Sequence, residues 1–330
     1  MSYVVVIYTV SHKYLQTHTQ EKMAITQTEL DGILPLIARG KVRDIYEVNS
    51  EVLLFVATDR ISAYDVIMTN PIPDKGILLT KLSEFWFNLL KNDIRNHLYP
   101  IASGKTMWDY LPKQLSEDNK YKEQLDGRAL LVRKFKLIPL EVIVRGYITG
   151  SAWKEYKKQG TVHGVLQEDC HMDESQEFKT PIFTPSTKAE QGQHDENISI
   201  EQAEQLIGKE LCKRVGDQAI ALYTKCRDYA RTHGIIIADT KFEFGIDETT
   251  DEIVLVDEVL TPDSSRFWNG ALYTVGKPQD SYDKQFLRDW LTANKLNGVD
   301  GVTMPGDIVT RTRAKYVEAY EALTGDRWSQ

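Results

Sequence analysis

The chain has 330 residues, of which 42% are hydrophobic and 27% charged, as is typical of a soluble globular protein with room for about two domains. Its net charge of −8 argues against a protein that binds nucleic-acid phosphates, and no apolar run approaches the roughly 18 residues of a membrane span. The three scattered cysteines form no zinc-binding spacing and favour a reducing compartment. We therefore expect neither a nucleic-acid nor a membrane partner.

The first 22 residues differ from the rest of the chain. Residues 4–8 are apolar, but no basic segment precedes them and no clear cleavage site follows, so the pattern does not indicate a signal peptide. Met23 begins a plausible start of its own. We interpret residues 1–22 as a leader that is disordered or a start-site artefact.

Short strands dominate the first half of the chain. Residues 40–48 and 51–58 predict two strands, and residues 79–94 carry apolar side chains at helical spacing. Residues 128–146 predict two further strands broken at Pro139, because proline cannot donate within a central ladder. A short helix is predicted over residues 150–160, with Ser151 placed to cap it.

Helical patterns dominate the end of the chain. Residues 167–198 are polar, and we expect a long irregular loop there, which in a compact domain is usually functional or disordered. A capping box at Ser199 opens a helical pattern that ends near His233, with a break expected at Gly216. An antiparallel hairpin over residues 240–246 and 253–259 precedes two helices, at about 281–294 and 307–323. This segregation predicts an α+β fold.

The predicted hairpin raises a question about buried acids. Phe242 and Phe244 take one face, so Lys241 and Glu243 take the other, and the second strand is apolar until Asp257. Pairing could bring Glu243 close to Asp257, in a register that the sequence leaves open. Two adjacent carboxylates repel unless one is protonated or a cation lies between them, and Mg²⁺ accepts such a pair together with substrate phosphates. A solvated acidic rim is the alternative, which the flanking apolar runs disfavour.

Two segments are candidates for a nucleotide site. Gly40, Lys41 and Arg43 follow each other in a turn and strand that could cover phosphates as a kinase glycine-rich loop does. Taken alone, an exposed edge strand is the commoner interpretation. The break at Pro139 resembles a connection between lobes, where free backbone groups could pair with an adenine edge.

Two other segments are candidates for anion binding. Arg145 precedes the predicted helix N-terminus at Ser151, and the free amides of such a terminus bind anions, although a plain N-cap and a surface charge explain the pattern equally well. Arg266 follows Asp263, Ser264 and Ser265, which suits a second anion, while a plain polar turn is the better interpretation of that loop by itself.

Six ordered motifs together resemble the SAICAR synthetase family, the phosphoribosylaminoimidazole-succinocarboxamide synthases, in its single-function fungal-type form. They are ARGKVRDIYEV, TDRISAYDV, IPLEVIVRGYITGSAWKEY, TPSTKAEQGQHDEN, DTKFEFG and DEVLTPDSSRFW, and the resemblance runs from about residue 25 to the C-terminus. It implies an ATP-dependent carbon–nitrogen ligase of purine biosynthesis. Such an enzyme condenses CAIR, a 5-aminoimidazole-4-carboxylate ribonucleotide, with L-aspartate to give SAICAR, ADP and phosphate, through an acyl phosphate.

The resemblance also implies an architecture. It predicts two lobes, a sheet-rich N-terminal lobe (residues 23–138) and a larger mixed C-terminal lobe (residues 139–330), with a nucleotide site like those of ATP-grasp enzymes and kinases. The larger lobe would carry the CAIR, Mg²⁺ and aspartate sites. ATP and Mg²⁺ are the implied cofactors, with CAIR and aspartate as the small-molecule partners. We expect a cytoplasmic monomer, although the sequence does not determine the oligomeric state.

Site residues follow from the matching motifs. At ATP, the resemblance implies a phosphate-covering loop and an adenine-contacting backbone, formed by Gly40, Lys41 and Arg43 and by Lys136, Leu137 and Ile138 respectively. Mg²⁺ would be held by Glu243 and Asp257. The CAIR phosphate would be gripped by Arg145, Ser151 and Arg266. The implied catalytic residues are Asp239 and Lys241, at the imidazole and carboxylate, with Lys188 and Asp195; Ser62 and Asp65 would line the cleft for substrate.

Two other functions remain open from the sequence. A small-molecule kinase would use the same nucleotide site but pass the phosphoryl group to a hydroxyl, so its ADP release would not depend on aspartate. A catalytically inactive nucleotide-binding regulator would be favoured by loss of the acidic pair or of Lys41, and all three residues are present.

Overall fold

The computed structural model describes residues 24–166, 171–188, 196–282 and 284–329. The strands in these ranges are β1 (Leu36–Arg39), β2 (Arg43–Glu47), β3 (Val52–Ala57), β4 (Ser62–Ala63), β5 (Val66–Ile67), β6 (Ala129–Arg133), β7 (Lys136–Leu137), β8 (Leu140–Tyr147), β9 (Thr161–Val162), β10 (Val165–Leu166), β11 (Glu177–Thr187), β12 (Ile235–Asp247), β13 (Glu252–Val256) and β14 (Ser265–Asn269). The α-helices are α1 (Lys75–Leu90), α2 (Lys113–Glu117), α3 (Asn119–Leu125), α4 (Gly150–Gln159), α5 (Ile200–Ile207), α6 (Lys209–Thr232), α7 (Gln285–Ala293) and α8 (Gly306–Thr324). None of the described helices is long and apolar enough to cross a membrane.

The smaller sheet is antiparallel, with strand order β1-β2-β3-β6. Alternate residues of its strands, such as Leu54, Val56 and Leu131, are buried in a core that is closed by Leu115 of α2 and Leu125 of α3. The other face of this sheet carries Arg43, Phe55 and Leu130, which line a gap together with Leu79 and Asp257 from outside the sheet. It therefore forms one wall of the cleft described below.

The larger sheet is organised around β12. Its order is β11-β8-β12-β13, and β12 also pairs with β14 and β7. Val142, Val144, Phe242 and Phe244 point to one face, where they pack with α1, α6 and α8 in the main core. The alternating residues of β8 and β12 point to the opposite face, as a period of two requires. That face carries the charged side chains.

The α+β prediction is confirmed, but the predicted loop over residues 177–187 and the predicted helix break at Gly216 are both wrong. Residues 177–187, expected in a loop, form β11. This strand lies at the edge of the larger sheet, where Pro181 and Pro185 can be accommodated although they have no N–H to donate to a second neighbouring strand. The helical pattern breaks at Gly208, whose positive φ of 87° suits glycine, rather than at Gly216. Gly216 lies inside α6, where a Cβ would lie only 2.8 Å from the Phe183 ring, so close packing rather than a helix break explains this glycine.

The two lobes share their packing. Helix α1 belongs by sequence to residues 23–138, yet its Leu82 and Trp86 pack in the main core with α6 and α8. Trp86 Nε1 also donates to the Leu260 carbonyl at 2.9 Å. Strand β7 likewise pairs with β12 of the larger sheet. The division at residue 138 therefore stays a prediction, and residues 1–22 lie outside the described ranges.

Gly146 provides a test of how tightly the larger sheet packs. A Cβ at this position would overlap the hydroxyl of Tyr223, which is fully buried and donates to the Ile237 carbonyl at 2.6 Å. We expect Gly146→Ala to lower the free energy of unfolding by about 1–3 kcal/mol through overpacking. Urea denaturation measures this change. Gly306→Ala is the control, since its Cβ would meet no atom within 4 Å; equal stability of both variants would contradict the packing.

Candidate active site

Three adjacent strands place a carboxylate between two arginines. On β12, Asp239 lies opposite Arg145 of β8 and Arg266 of β14. Arg145 Nη1 donates to Asp239 Oδ2 at 3.1 Å, and Arg266 Nη1 donates to the same oxygen. Two guanidinium groups against one carboxylate leave one positive charge in excess. These three side chains, which we call the arginine row, can therefore accept an anionic ligand.

Arg145 is held from several sides. Its side chain is buried, and Nε donates to Thr184 Oγ1 at 3.1 Å. Burial lowers the pKa of Arg145, but a guanidinium stays charged in proteins. The His163 Nε2 atom lies 3.4 Å from Arg145 Nη2. Burial and the charge of Arg145 lower the pKa of His163 to about 4, so this imidazole is neutral near pH 7 and adds no repulsion.

The N-terminus of α4 completes this end of the cleft. The predicted cap at Ser151 is wrong: the N-cap residue is Thr149, and Ser151 is the second helical residue, exposed in the cavity wall. Its position among the first residues of the helix gives it an amide without an intrahelical acceptor. Gly150 has a φ of 58°, and a Cβ there would lie 2.7 Å from Arg266 Nη2. Glycine thus brings the helix terminus against the arginine.

Further along the same face, cations and carboxylates alternate. Lys241 Nζ donates to Glu141 Oε1 and lies 3.9 Å from Glu243 Oε1, while Lys188 Nζ donates to Glu243 Oε2. Burial would lower the pKa of Lys241, but Glu141 and Glu243 outweigh it and raise that pKa. Burial, and then the charge of Asp257, raise the pKa of Glu243 above its usual value. The structure thus brings Lys188, Lys241, Glu243 and Asp257 together.

Asp257 is paired with Arg43 across the cleft between the two sheets. Strand β13 ends at Val256, and Asp257 takes a positive φ of 66°, which aspartate adopts more readily than most residues. Arg43 donates to both carboxylate oxygens of Asp257, from Nη1 to Oδ1 and from Nη2 to Oδ2 at 2.6 Å. Arg43 Nη2 also lies 3.5 Å from Glu258 Oε1. Burial alone would raise the pKa of Asp257, but Arg43 brings it below its usual value.

These pairs change the explanation of the buried acids. The sequence suggested that a metal or a proton must relieve the contact of Glu243 with Asp257, whereas Lys188 and Arg43 already neutralise them. A Mg²⁺ ion still fits the chemistry of the two side chains, since both offer carboxylate oxygens and Mg²⁺ completes its shell with phosphate oxygens and water. Among the described residues, no group of three His, Cys, Asp or Glu side chains could hold a metal by itself. The metal role of the pair stays a prediction.

A cavity of about 390 Å³ lies over the charged face, within the rough 300–1,000 Å³ range of small-molecule sites. Five predicted residues line it, namely Arg145, Ser151, Asp239, Lys241 and Arg266. The sequence interpretation missed Glu141 and Arg288, which also line it. Glu141 was recognisable, because it lies four positions before Arg145 in the same strand and therefore on the same face. Arg288 lies on α7, and nothing local indicates which helix face meets the cavity.

The predicted phosphate loop lies at the mouth of the cleft. Lys41 Nζ binds Asp65 Oδ1 at 2.5 Å, so the structure brings these two predicted residues together, with both side chains more than half exposed. Gly40 has room for a Cβ, whose nearest contact would be the Arg43 carbonyl at 3.5 Å, so this backbone does not require glycine. Ser62 is buried in the β4–β5 hairpin and lies outside the cavity wall.

The predicted adenine segment has only part of its backbone turned outward. Ile138 N–H donates to the Phe244 carbonyl, and the Ile138 carbonyl accepts from Leu140 N–H. Since Leu137 pairs with Gly245 in the same antiparallel ladder, alternation turns its N–H and C=O away from β12. Lys136 Nζ binds Glu248 at 2.9 Å on the surface. Within this segment, Leu137 is therefore the residue suited to an adenine edge. Asp195 lies outside the described residues.

Known proteins resemble the chain over most of its length. A family model described as SAICAR synthetase matches residues 36–305. The phosphoribosylaminoimidazole-succinocarboxamide synthase of Saccharomyces cerevisiae is 75% identical over 307 residues, which cover 93% of this chain and 100% of that protein. A solved structure described as SAICAR-synthase from Saccharomyces cerevisiae complexed with SAICAR superposes with a TM-score of 0.88 at 73% identity, covering 93% of this chain and 100% of that one. A type-2 SAICAR synthetase in complex with ADP gives 0.63 at 26% identity, covering 89% and 99% respectively.

Proposed function

The chain belongs to the SAICAR synthetase family, and we propose that it condenses CAIR with L-aspartate at the expense of ATP in the cleft between its two sheets. One observation carries the assignment of the site. The cavity over β8, β12 and β14 places Arg145, Asp239 and Arg266 in a row beside Lys241. This arrangement places an anion site directly next to an alternating set of lysines and carboxylates. It suits a substrate that carries a phosphate at one end and a carboxylate at the other.

The CAIR phosphate is assigned to the end of the cavity that Arg145, Ser151 and Arg266 line. Two guanidinium groups offer forked donors, and the α4 N-terminus adds amides and the positive end of the helix dipole. Asp239 holds both arginines in place by accepting from each of them. It therefore preorganises the site, at the cost of competing with the phosphate for the same donors. The CAIR carboxylate then lies toward Lys241.

ATP is assigned to the cleft that Arg43, Glu243 and Asp257 border. The SAICAR synthetase solved with ADP supports a nucleotide in this family. Glu243 and Asp257 would hold Mg²⁺ at the ATP phosphates. When bound, the ion would neutralise charge on the transferring phosphoryl group. Binding would loosen the contacts of Lys188 and Arg43 with these acids and free both cations for phosphate oxygens.

The chemistry follows from the poor reactivity of a carboxylate. An oxygen of the CAIR carboxylate attacks the γ-phosphorus of ATP and ADP leaves, which gives an acyl phosphate. The amine of aspartate then attacks the acyl carbon, phosphate leaves with the bonding electrons, and the amine loses a proton to form the amide. Lys241 and Lys188 stabilise the charge that develops on the phosphoryl oxygens.

Formation of ADP tests the proposal. We expect continued turnover of ATP to ADP, with Mg²⁺, only when both CAIR and L-aspartate are present, with one SAICAR formed for each ADP. The measurement is a coupled ADP assay with each component omitted in turn, together with chromatographic detection of the product. Omission of aspartate separates the ligase from the kinase alternative, because a kinase would release ADP at the full rate without aspartate. That outcome would overturn the ligase assignment.

A monomeric state and a cytoplasmic location complete the proposal. Both were predicted from the sequence, and small-molecule substrates require neither a partner chain nor a membrane. Sedimentation of the purified protein over a range of concentrations measures the first. A concentration-dependent increase in mass would contradict it.

A further inference from the structure

The turn between β1 and β2 has its carbonyl groups bound from one side. Arg60 Nη2 donates to the Gly40 carbonyl at 2.9 Å, and Arg60 Nε donates to the Lys41 carbonyl at 3.1 Å. The next carbonyl, that of Val42, accepts from Thr58 N–H at 2.9 Å and from Thr58 Oγ1 at 2.7 Å. Three successive carbonyls are thus fixed by two residues that follow β3.

The orientation of the amides follows from peptide geometry. In a planar trans peptide, the N–H of each residue points opposite to the carbonyl that precedes it. The N–H groups of Lys41 and Val42 therefore point away from Arg60. Successive N–H groups on one side of a turn form a concavity that binds anions. Val42 also lines the small gap between the sheets, together with Asp257, so the turn borders the cleft assigned to ATP.

Arg60 is itself rigidly held. Its side chain is almost completely buried, and besides the turn it donates to Asp44 Oδ1 at 2.9 Å and to the Thr26 carbonyl. Asp44 is fully buried and also accepts from the backbone N–H and the hydroxyl of Thr28. Only a guanidinium can reach these acceptors at once, because its donors diverge in one plane, whereas an ammonium is a single point.

We propose that Arg60 is a positioning residue for the nucleotide: it fixes the Gly40–Val42 turn so that the turn's amides face the ATP phosphates, without touching ATP itself. The inference rests on the proposed function, since it assigns the ATP phosphates to this turn. It predicts that Arg60 and Thr58 affect nucleotide affinity and leave the distant CAIR site unchanged.

Arg60→Lys is the principal test, because it retains the positive charge beside Asp44 but loses the fork. We expect the dissociation constant for Mg–ADP, measured by isothermal titration calorimetry, to rise at least tenfold. The KM for ATP should rise similarly, while the KM for CAIR stays within twofold. A purely structural role would instead lower the fraction of folded protein and the apparent kcat, with nucleotide affinity per folded molecule unchanged. That result would overturn the inference.

Thr58→Val is a milder variant that keeps the fold if Arg60→Lys does not. It removes one hydroxyl bond to the Val42 carbonyl while the backbone bond remains, so we expect a two- to fivefold rise in the Mg–ADP dissociation constant. Unchanged affinity in this variant, at wild-type stability, would also contradict the inference.

Arg39→Lys is the matched control. Arg39 Nε lies 3.4 Å from the same Asp44 oxygen, and Nη2 donates to the Thr28 carbonyl at 2.9 Å, away from the Gly40–Val42 carbonyls. We expect nucleotide affinity within twofold of the wild type. An equal loss in Arg39→Lys and Arg60→Lys would mean that the charge around Asp44, rather than the turn, matters, and would overturn the inference. If the wild type bound no Mg–ADP, the proposed function would fail instead, so the two failures are distinguishable.

Discussion

Asp257→Asn is expected to reduce kcat by at least a hundredfold while CAIR still binds. The substitution keeps the size of the side chain but removes one of the two carboxylate charges at the site assigned to Mg²⁺. Because the metal stabilises charge mainly in the transition state, kcat should fall by a larger factor than the KM for either ATP or CAIR rises. Steady-state kinetics with ATP and CAIR varied separately measure this difference. Chelation of Mg²⁺ from the wild type should reproduce the loss of activity.

The same variant should also be less stable. If repulsion between Asp257 and Glu243 dominated, as the sequence pattern suggests, the variant would be more stable; the structure instead pairs Asp257 with Arg43, which would lose its bidentate partner. Loss of a charge-assisted hydrogen bond costs about 1.5–3 kcal/mol, and the remaining neighbour Glu258 reduces this cost. Since Arg43 lowers the pKa of Asp257, the stabilisation should be complete at neutral pH. This stabilisation should begin to be lost as the pH falls below about 4, the pKa range of an unfolded aspartate. The loss should be complete once the pH is below the lower pKa of Asp257 in the folded state.

Asp247→Asn is the matched control for the kinetic measurement. Asp247 lies at the far end of the same β12–β13 hairpin and also binds an arginine, since Arg95 Nη1 donates to its Oδ2 at 2.6 Å. We expect wild-type kcat in this variant. If Asp257→Asn unfolded while its folded fraction kept full specific activity, Asp257 would be a structural acid only, and the metal site would lie elsewhere.

Arg266→Ala is expected to raise the KM for CAIR about ten- to a hundredfold, with the KM for ATP within threefold. The range corresponds to one charge-assisted contact with a phosphate, about 1.5–3 kcal/mol. Arg145→Ala should raise the KM for CAIR as well. It should also destabilise the fold, because Arg145 is buried and its removal leaves Asp239 with Arg266 as its remaining guanidinium partner in the row.

Arg95→Ala is the control for Arg266→Ala. The two side chains are similarly exposed, 35% for Arg95 and 32% for Arg266, and each binds a carboxylate. The control should leave both Michaelis constants within twofold. Equal increases in the Michaelis constants for ATP and CAIR in Arg266→Ala would contradict the assignment of the CAIR phosphate to the arginine row.

Local patterns in the sequence predicted the composition of the charged face. The alternation of β12 placed Phe242 and Phe244 on the buried side and Lys241 and Glu243 on the other, and the structure confirms both faces. A period of two is a property of the strand itself, so it can be read without knowing the strand's neighbours. The same holds for the capping box at Ser199, which depends on residues three positions apart. The family resemblance likewise rested on short motifs.

The pairing of these side chains was decided by the tertiary structure. Arg43 and Asp257 are 214 residues apart in sequence, so no local pattern could show that a guanidinium neutralises this acid. Asp239 meets both arginines only because β8 and β14 flank β12 in a particular register. Strand β11 was missed for the same reason, since its prolines are tolerated only at the edge of a sheet. Sequence determines which groups a face offers, whereas strand order and register determine which charges meet, because Coulomb interactions act through space rather than along the chain.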